Sequence, residues 1–376
     1  MRKGATEMEE VKSLPEKTIK IQTKKSRRKG ILLVVAVLLL IIIVSISFLY
    51  GNPLRTILSF TKVGDEPLYT MTYYGDYGFD EFLKTGRYPN FHLLKTAAWR
   101  NFQNQKSPHW ACSVFSARNE KGNPILGRNF DWSHRSAVLL FTNPPNGYRS
   151  VSLLDPCYCG YNPPNYIPAS VFDRTKLLTM PWMPLDGMNE CGLAVGTMAV
   201  PHAESSHDPN KMTISGWDAF RLVLDHAKNV AEAIMLIKKY NISFPLPSHC
   251  LIADASGHSA VIEFVDGKME VIQTEQPWQV ATNFQLYNTK DISSLLSPGA
   301  IDHIGVDRYS TAFETLKKTN GIISDNNAMK LLKDISQTTT MWSVVYNLST
   351  GDIQVRTGYD PTRISQVKKF KLKMKN

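Results

Sequence analysis

Residues 111–132 read ACSVFSARNEKGNPILGRNFDW, and their pattern decides how the rest of the chain is read. Two runs rich in strand-forming residues, CSVFSARN and ILGRNFDW, flank the turn Glu120-Lys121-Gly122-Asn123-Pro124, whose glycine and proline break a continuing strand. They predict a β-hairpin that opens on a cysteine. Across it Cys112 faces Arg128 and Asp131. A thiol attacks as its thiolate, and a nearby guanidinium favours that form. If Cys112 became a chain terminus, its α-amine, with a pKa of about 8, could serve as general base. Asp131 could hold that amine by a charge-assisted hydrogen bond.

Strands and helices alternate in blocks beyond the hairpin. A strand AVLLFTN follows it, and LAVGTMAV follows the turn Asp186 to Gly192. Trp217, Phe220, Val223 and Leu224 make one helical stripe, and Asn229 with Glu232 forms a capping pair before residues 233–240. Then come CLIADA, SAVIEFV and KMEVIQ, with Asp266-Gly267 as a hairpin turn, and QVATN ending at Asn283. Residues 307–320 and 325–335 read as helices, the second capped by Asp325, before a closing hairpin of MWSVVYNL and IQVRTG. Such grouping predicts an α+β fold of antiparallel sheets with helix layers on their outer faces, rather than a doubly wound parallel sheet.

Upstream of the hairpin the composition changes. Residues 1–30 hold ten basic against four acidic side chains, and residues 368–375 hold five lysines, so the formal charge of +10 sits at the two ends. A basic face on the folded domain, as nucleic-acid binding needs, is not indicated. Residues 31–50, ILLVVAVLLLIIIVSISFLY, carry no charge and at about 1.5 Å per residue would cross a hydrocarbon core about 30 Å thick. The basic cluster Lys24, Lys25, Arg27, Arg28 and Lys29 just before them predicts a single-pass anchor in the cell membrane, N-terminus cytoplasmic and catalytic body extracytoplasmic. Four regions follow: a basic tail (1–30), the anchor (31–50), a connecting segment (51–111) and a catalytic body (112–376). The connecting segment is too aromatic for a solvated linker, which predicts that it packs on the body.

The hairpin's order of Cys112, Arg128 and Asp131 resembles the opening of the choloylglycine hydrolase and acid ceramidase superfamily, which includes penicillin V acylases and N-acylethanolamine amidases. DGMNECGLAVG resembles that family's loop with an oxyanion asparagine, here Asn189. VATNF resembles the segment with a second asparagine, Asn283, and VDRYSTA the segment with a second arginine, Arg308. The resemblance implies a four-layer αββα Ntn-hydrolase sandwich and hydrolysis of a linear, non-peptide amide of a small N-acyl compound through a Cys112 thioester. Cofactor and metal are not called for. Because 111 residues precede Cys112, the chain is similar to the ceramidase-like branch, which implies self-cutting between Ala111 and Cys112 with residues 51–111 kept as a small subunit.

Other readings stay open on the residues alone. An acyltransferase could use the same thioester, and a membrane-tethered binding protein could keep the fold with an inert cysteine. Five cysteines allow two disulfides and one free thiol, and Cys157-Tyr158-Cys159 lacks a second metal-ligand pair. A papain-like pairing of Cys112 with His134, His202, His207, His249, His258 or His303 has no local signature to support it. Oligomeric state is not legible.

Overall fold

The computed structural model describes residues 29, 31–38, 51–89, 111–132, 136–161, 167–168, 170–244, 246–289, 305–358 and 366–375. The chain divides into two units, residues 1–52 and 53–376. In the first, residues 31–38 are helical with exposed aliphatic side chains. This corrects the expected membrane anchor and cell-membrane location. Among the described residues no helix is long and apolar enough to cross a membrane. Residues 39–50 of the apolar run lie outside the described residues.

In the second unit the connecting segment supplies β1 (Thr61–Lys62), β2 (Leu68–Thr72) and helix α1 (Phe79–Thr85). The predicted hairpin forms as β3 (Ala111–Arg118) and β4 (Pro124–Asp131), followed by β5 (Ala137–Thr142) and β6 (Ser150–Leu154). Next come β7 (Asp186–Asn189), β8 (Ala194–Ala199), β9 (Thr213–Ser215), α2 (Gly216–His226), α3 (Val230–Ile237) and β10 (Asn241–Ser243). Then follow β11 (Ser248–Ala253), β12 (Ser259–Val265), β13 (Lys268–Ile272) and β14 (Gln279–Ala281). Helices α4 (Val306–Lys318) and α5 (Asp325–Asp334) precede β15 (Thr340–Asn347), β16 (Asp352–Thr357) and β17 (Lys368–Lys371).

One sheet has nine strands in the order β1-β2-β5-β6-β7-β8-β11-β12-β13, and the other six in the order β14-β3-β4-β15-β16-β17. Pairing is antiparallel except at two places. β2 lies parallel to β5, and the short β9 lies parallel to β10. The first departure has a plain cause: β2 comes from the connecting segment, so it is added to the sheet edge by a long connection rather than a hairpin. That segment does more than pack on the body. Tyr69, Tyr73, Tyr77, Phe79 and Phe82 are all buried, and the Tyr77 hydroxyl donates to the buried Asp225 at 2.6 Å.

Period-two alternation in β3 turns Val114 toward one core and Phe115 toward the other. Val114, Leu126 and Trp342 share the larger core with Met188, Val195 and Leu251 of the nine-stranded sheet. Phe115, Ile125 and Val345 pack instead with Tyr309, Leu316 and Leu332 of α4 and α5. The two sheets therefore face each other, with α2 against β7 and β8 on one side and α4 and α5 against the six-stranded sheet on the other. A side chain at Gly196 would sit 3.0 Å from Val114 and 3.3 Å from Arg128, so the close approach of β8 to β3 needs a bare backbone there.

Caps follow the sequence closely. Asn229 accepts from the Glu232 amide as expected, and Ser215 with Asp218 forms a reciprocal capping box on α2. Helix α5 departs from the expectation: Ser324, not Asp325, accepts the Asn327 amide, leaving Asp325 in the first turn where its charge suits the helix dipole. Asp266 and Gly267 both have positive φ, the conformation that matches a two-residue hairpin to strand twist.

Candidate active site

Strand pairing places Ala111 opposite Asp131 and Cys112 opposite Phe130, so the start of β3 lies against the end of β4. Cys112 is 4% exposed. Its thiol lies 4.0 Å from Nη2 of Arg128 and lines a pocket that opens to solvent. The walls are Phe130, Trp132, Tyr158, Trp217, Phe220 and Phe244, with smaller aliphatic neighbours. Arg128 is the sole charged side chain among the lining residues, and it is already paired: it donates to Asp186 and, at 2.7 Å, to the Thr197 carbonyl. Asp186 in turn accepts from Trp342 Nε1 at 2.9 Å and from the Tyr346 hydroxyl at 2.5 Å.

This pairing modifies the sequence expectation for the thiol. Burial pushes the Cys112 thiol above its usual range; Arg128 pulls it down, Asp131 pushes it up, and Arg308 lowers it less. In the intact chain burial outweighs the guanidinium. The same burial raises the Asp131 carboxyl to about 6, against the opposing pull of Thr340, Arg308 and Arg128. Thr340 donates to Oδ1 of Asp131. The other oxygen, Oδ2, is buried without a hydrogen-bond donor among the described residues, with Arg308 Nη1 3.9 Å away.

The backbone of Cys112 is gripped from a third direction. Its N–H donates to Asn283 Oδ1 at 2.6 Å, and its carbonyl accepts from Arg308 Nη1 at 2.5 Å. Arg308 also donates to Ser113 Oγ and, through Nη2, to Asn283 Oδ1, both at 2.9 Å. Asn283 Nδ2 donates to the Ala199 carbonyl at 2.7 Å. Arg308 reaches Cys112 from the first turn of α4, and Gly305 at its N-cap makes room. Gly305 has φ 88°, and a Cβ there would meet Arg308 Nη2 at 2.5 Å.

Five of the six expected residues thus meet around Cys112, and Asn189 does not. Its Nδ2 donates to the carbonyls of Leu224 and Ala227, and its Oδ1 accepts from the amides of Cys191 and Leu193. Asn189 is absent from the cavity wall. No histidine lines the cavity among the described residues, and His134 and His303 lie outside them. All five cysteines are free thiols, so the adjacent Cys157 and Cys159 are unbridged. Sequence reading missed Asp186 and Thr340. Asp186 stood in the quoted DGMNECGL segment, where a carboxylate before a glycine reads as a turn; Thr340 had no signal, since only the fold brings β15 beside β4.

Residues 112–295 match the family of linear amide C–N hydrolases, choloylglycine hydrolase family. A penicillin V acylase of Pectobacterium atrosepticum is 25% identical over 258 residues, covering 60% of this chain and 65% of the relative. The chain therefore spans slightly less than two thirds of that relative. Over residues 112–295 the chain resembles the linear amide C–N hydrolases. Two mutant forms of conjugated bile acid hydrolase from Clostridium perfringens superpose with TM-scores of 0.51 at 16% and 15% identity. They cover 70% of this chain and 93% and 94% of their own lengths. At that identity the likeness bears on the fold, a mixed α/β Ntn-hydrolase-like one. The linear amide hydrolase match includes Cys112, Arg128, Asp131, Asn189 and Asn283, whereas Arg308 lies beyond its end.

Proposed function

We propose that this chain is a cysteine amidohydrolase that cleaves the linear amide of a small N-acyl compound through a thioester on Cys112. The carrying observation is the convergence of Arg128, Asp131, Asn283 and Arg308 on one buried cysteine that opens into an apolar cavity. The fold belonging to this reading is the four-layer αββα sandwich, with residues 112–376 as the catalytic part. The names of the relatives, a penicillin V acylase and a conjugated bile acid hydrolase, favour N-acyl amides as substrates. The aromatic wall favours an apolar acyl group, each buried methylene contributing about 0.8 kcal/mol.

In the intact chain the Cys112 thiol transfers its proton to Asp131, whose Oδ2 is the nearby buried acceptor without a donor. The thiolate attacks the Ala111 carbonyl carbon, and the Ala111–Cys112 C–N bond breaks as the acyl group moves to sulfur and Asp131 returns its proton to the leaving nitrogen. Water hydrolyses that thioester, leaving Ala111 with a carboxylate and Cys112 with a free α-amine, which Asp131 then holds. In turnover the α-amine takes the thiol proton, and sulfur attacks the substrate carbonyl. The α-ammonium protonates the departing amine, and water releases the acid. Asn283 keeps one amide N–H beyond those engaged among the described residues, and it serves the tetrahedral oxyanion. Residues 51–111 become a small subunit that stays through β2 and the Tyr77–Asp225 bond.

The test is intact mass of the purified full chain together with hydrolysis of a panel of N-acyl amides. A break before Cys112 and amide hydrolysis, both abolished in Cys112→Ala, are expected. An uncut wild type that hydrolyses none of the panel would overturn the reading.

A further inference from the structure

We infer that His249, held as an imidazolium between Glu263 and the Thr282 carbonyl, is the positioning residue that sets Asn283 and Arg308 on Cys112. This rests on the proposed roles of those two residues. His249 lies on β11 with 2% exposure, and Glu263 on β12 is fully buried. Histidine Nδ1 is 2.8 Å from Glu263 Oε1, and Nε2 is 2.6 Å from the Thr282 carbonyl oxygen. A backbone carbonyl can only accept. Glu263 also accepts from the amides of Leu286 and Tyr287 at 2.8 and 3.0 Å, so its two oxygens face three donors. Those contacts, His249 first among them, hold the Glu263 carboxyl below its usual range despite burial. With acceptors on both sides, both ring nitrogens must donate, and the ring carries both protons.

The consequence runs directly to the site. Thr282 precedes Asn283, and its hydroxyl donates to the Gly305 carbonyl at 3.0 Å. Gly305 is the residue on which α4 starts and around which Arg308 folds. One buried imidazolium therefore fixes the segment 282–287 from both ends, through Thr282 and through Glu263. It also supports the start of the helix that carries Arg308. Removing the donation to Thr282 leaves a buried carbonyl without its donor and frees the segment bearing Asn283, whereas Glu263 without its histidine still holds the Leu286 and Tyr287 amides. Because Asn283 accepts from the Cys112 N–H, the loss falls on the scissile peptide bond as well as on turnover.

The two ring donors can be separated in the full chain. The amide nitrogen of His249→Gln reaches the position of Nε2 and keeps the bond to Thr282; that of His249→Asn reaches the position of Nδ1 and keeps only the bond to Glu263. His249→Asn is expected to slow self-cutting and lower kcat by about 10²-fold, with KM changed by no more than about twofold. His249→Gln is expected to recover both rates to within a few-fold of wild type. Wild-type rates in His249→Asn, or equal losses in the two variants, would overturn the inference. An independent measurement needs no variant to fold: imidazole 15N spectra of the histidine-labelled full chain at pH 7 should contain one buried ring with both nitrogens protonated. Neutral tautomers for every buried ring would overturn the inference too. An uncut, inactive wild type would instead refute the amidase reading, leaving the spectra to decide the clamp.

Discussion

Asn189 and Asn283 are the same residue type, both buried, the first closing β7 and the second two residues past β14, and their amides are used in opposite ways. A side-chain amide has two N–H donors and one oxygen with two lone pairs. Asn189 engages all four: its donors hold two carbonyls at the end of α2, and its oxygen closes the turn to β8. Asn283 also fills its oxygen, with the Cys112 N–H and Arg308, yet among the described residues commits one donor, to Ala199. In the proposed mechanism, what separates a scaffold asparagine from a reactive one is the unfilled capacity left where the chemistry happens. Residue type and burial do not distinguish them.

The comparison breaks most severely at Asn283. Asn283→Ala removes the acceptor for the Cys112 amide and the spare donor together. It is expected to lower kcat for amide hydrolysis by about 10²- to 10³-fold and to slow the cut before Cys112, followed by intact mass over time. Asn283→Asp sharpens the point, because it keeps the acceptor and loses every donor. Cutting near the wild-type rate with defective turnover is expected, and equal defects in both steps would assign Asn283 a holding role alone.

A smaller effect is expected from the carboxylate. Asp131 is raised to about 6 by burial, above the ordinary value near 4. Between those values the folded intact chain holds a proton that the unfolded chain has lost, so Asp131 makes stability fall as pH rises through that window, and its ionic form appears above about 6. The cutting rate should accordingly climb through pH 6 and level off. In Asp131→Asn the climb should vanish, the residual rate should be low at every pH, and the fall in stability between about pH 4 and 6 should be lost. Rates measured between pH 4.5 and 8 decide it, and an unchanged climb in the variant would remove Asp131 from the proton path.

The residues that were legible early share one property: their partners are close in sequence or repeat with a period. The hairpin turn Glu120 to Pro124 fixed the facing of Cys112, Arg128 and Asp131, and period-two strands such as SAVIEFV coincide with β12 residue for residue. Relations that depend on separate elements meeting were not legible. Asp186 lies 58 residues from Arg128, and His249 lies 33 from Thr282. Nothing in either neighbourhood records the partner. Asn189 is the converse case: its glycine-rich turn carried the resemblance, while its side-chain hydrogen bonds run to Leu224, Ala227, Cys191 and Leu193. The membrane anchor expected at 31–50 is not supported either: among the described residues no helix is long and apolar enough to cross a membrane.

The mildest catalytic effect should come from Asn189, and it tests the comparison from its other side. Asn189→Ala leaves the Leu224 and Ala227 carbonyls and the Cys191 and Leu193 amides without their partner. Two of these close the end of α2, the helix that supplies Trp217 and Phe220 to the cavity. A loss of about 2–3 kcal/mol of stability is expected from such uncompensated buried groups. Measured well below the unfolding transition, kcat per folded molecule should stay near wild type, with any change appearing in KM as the helix loosens. A large fall in kcat with unaltered stability would mean that Asn189 acts on the reacting atoms. The distinction between filled and unfilled amides would then fail.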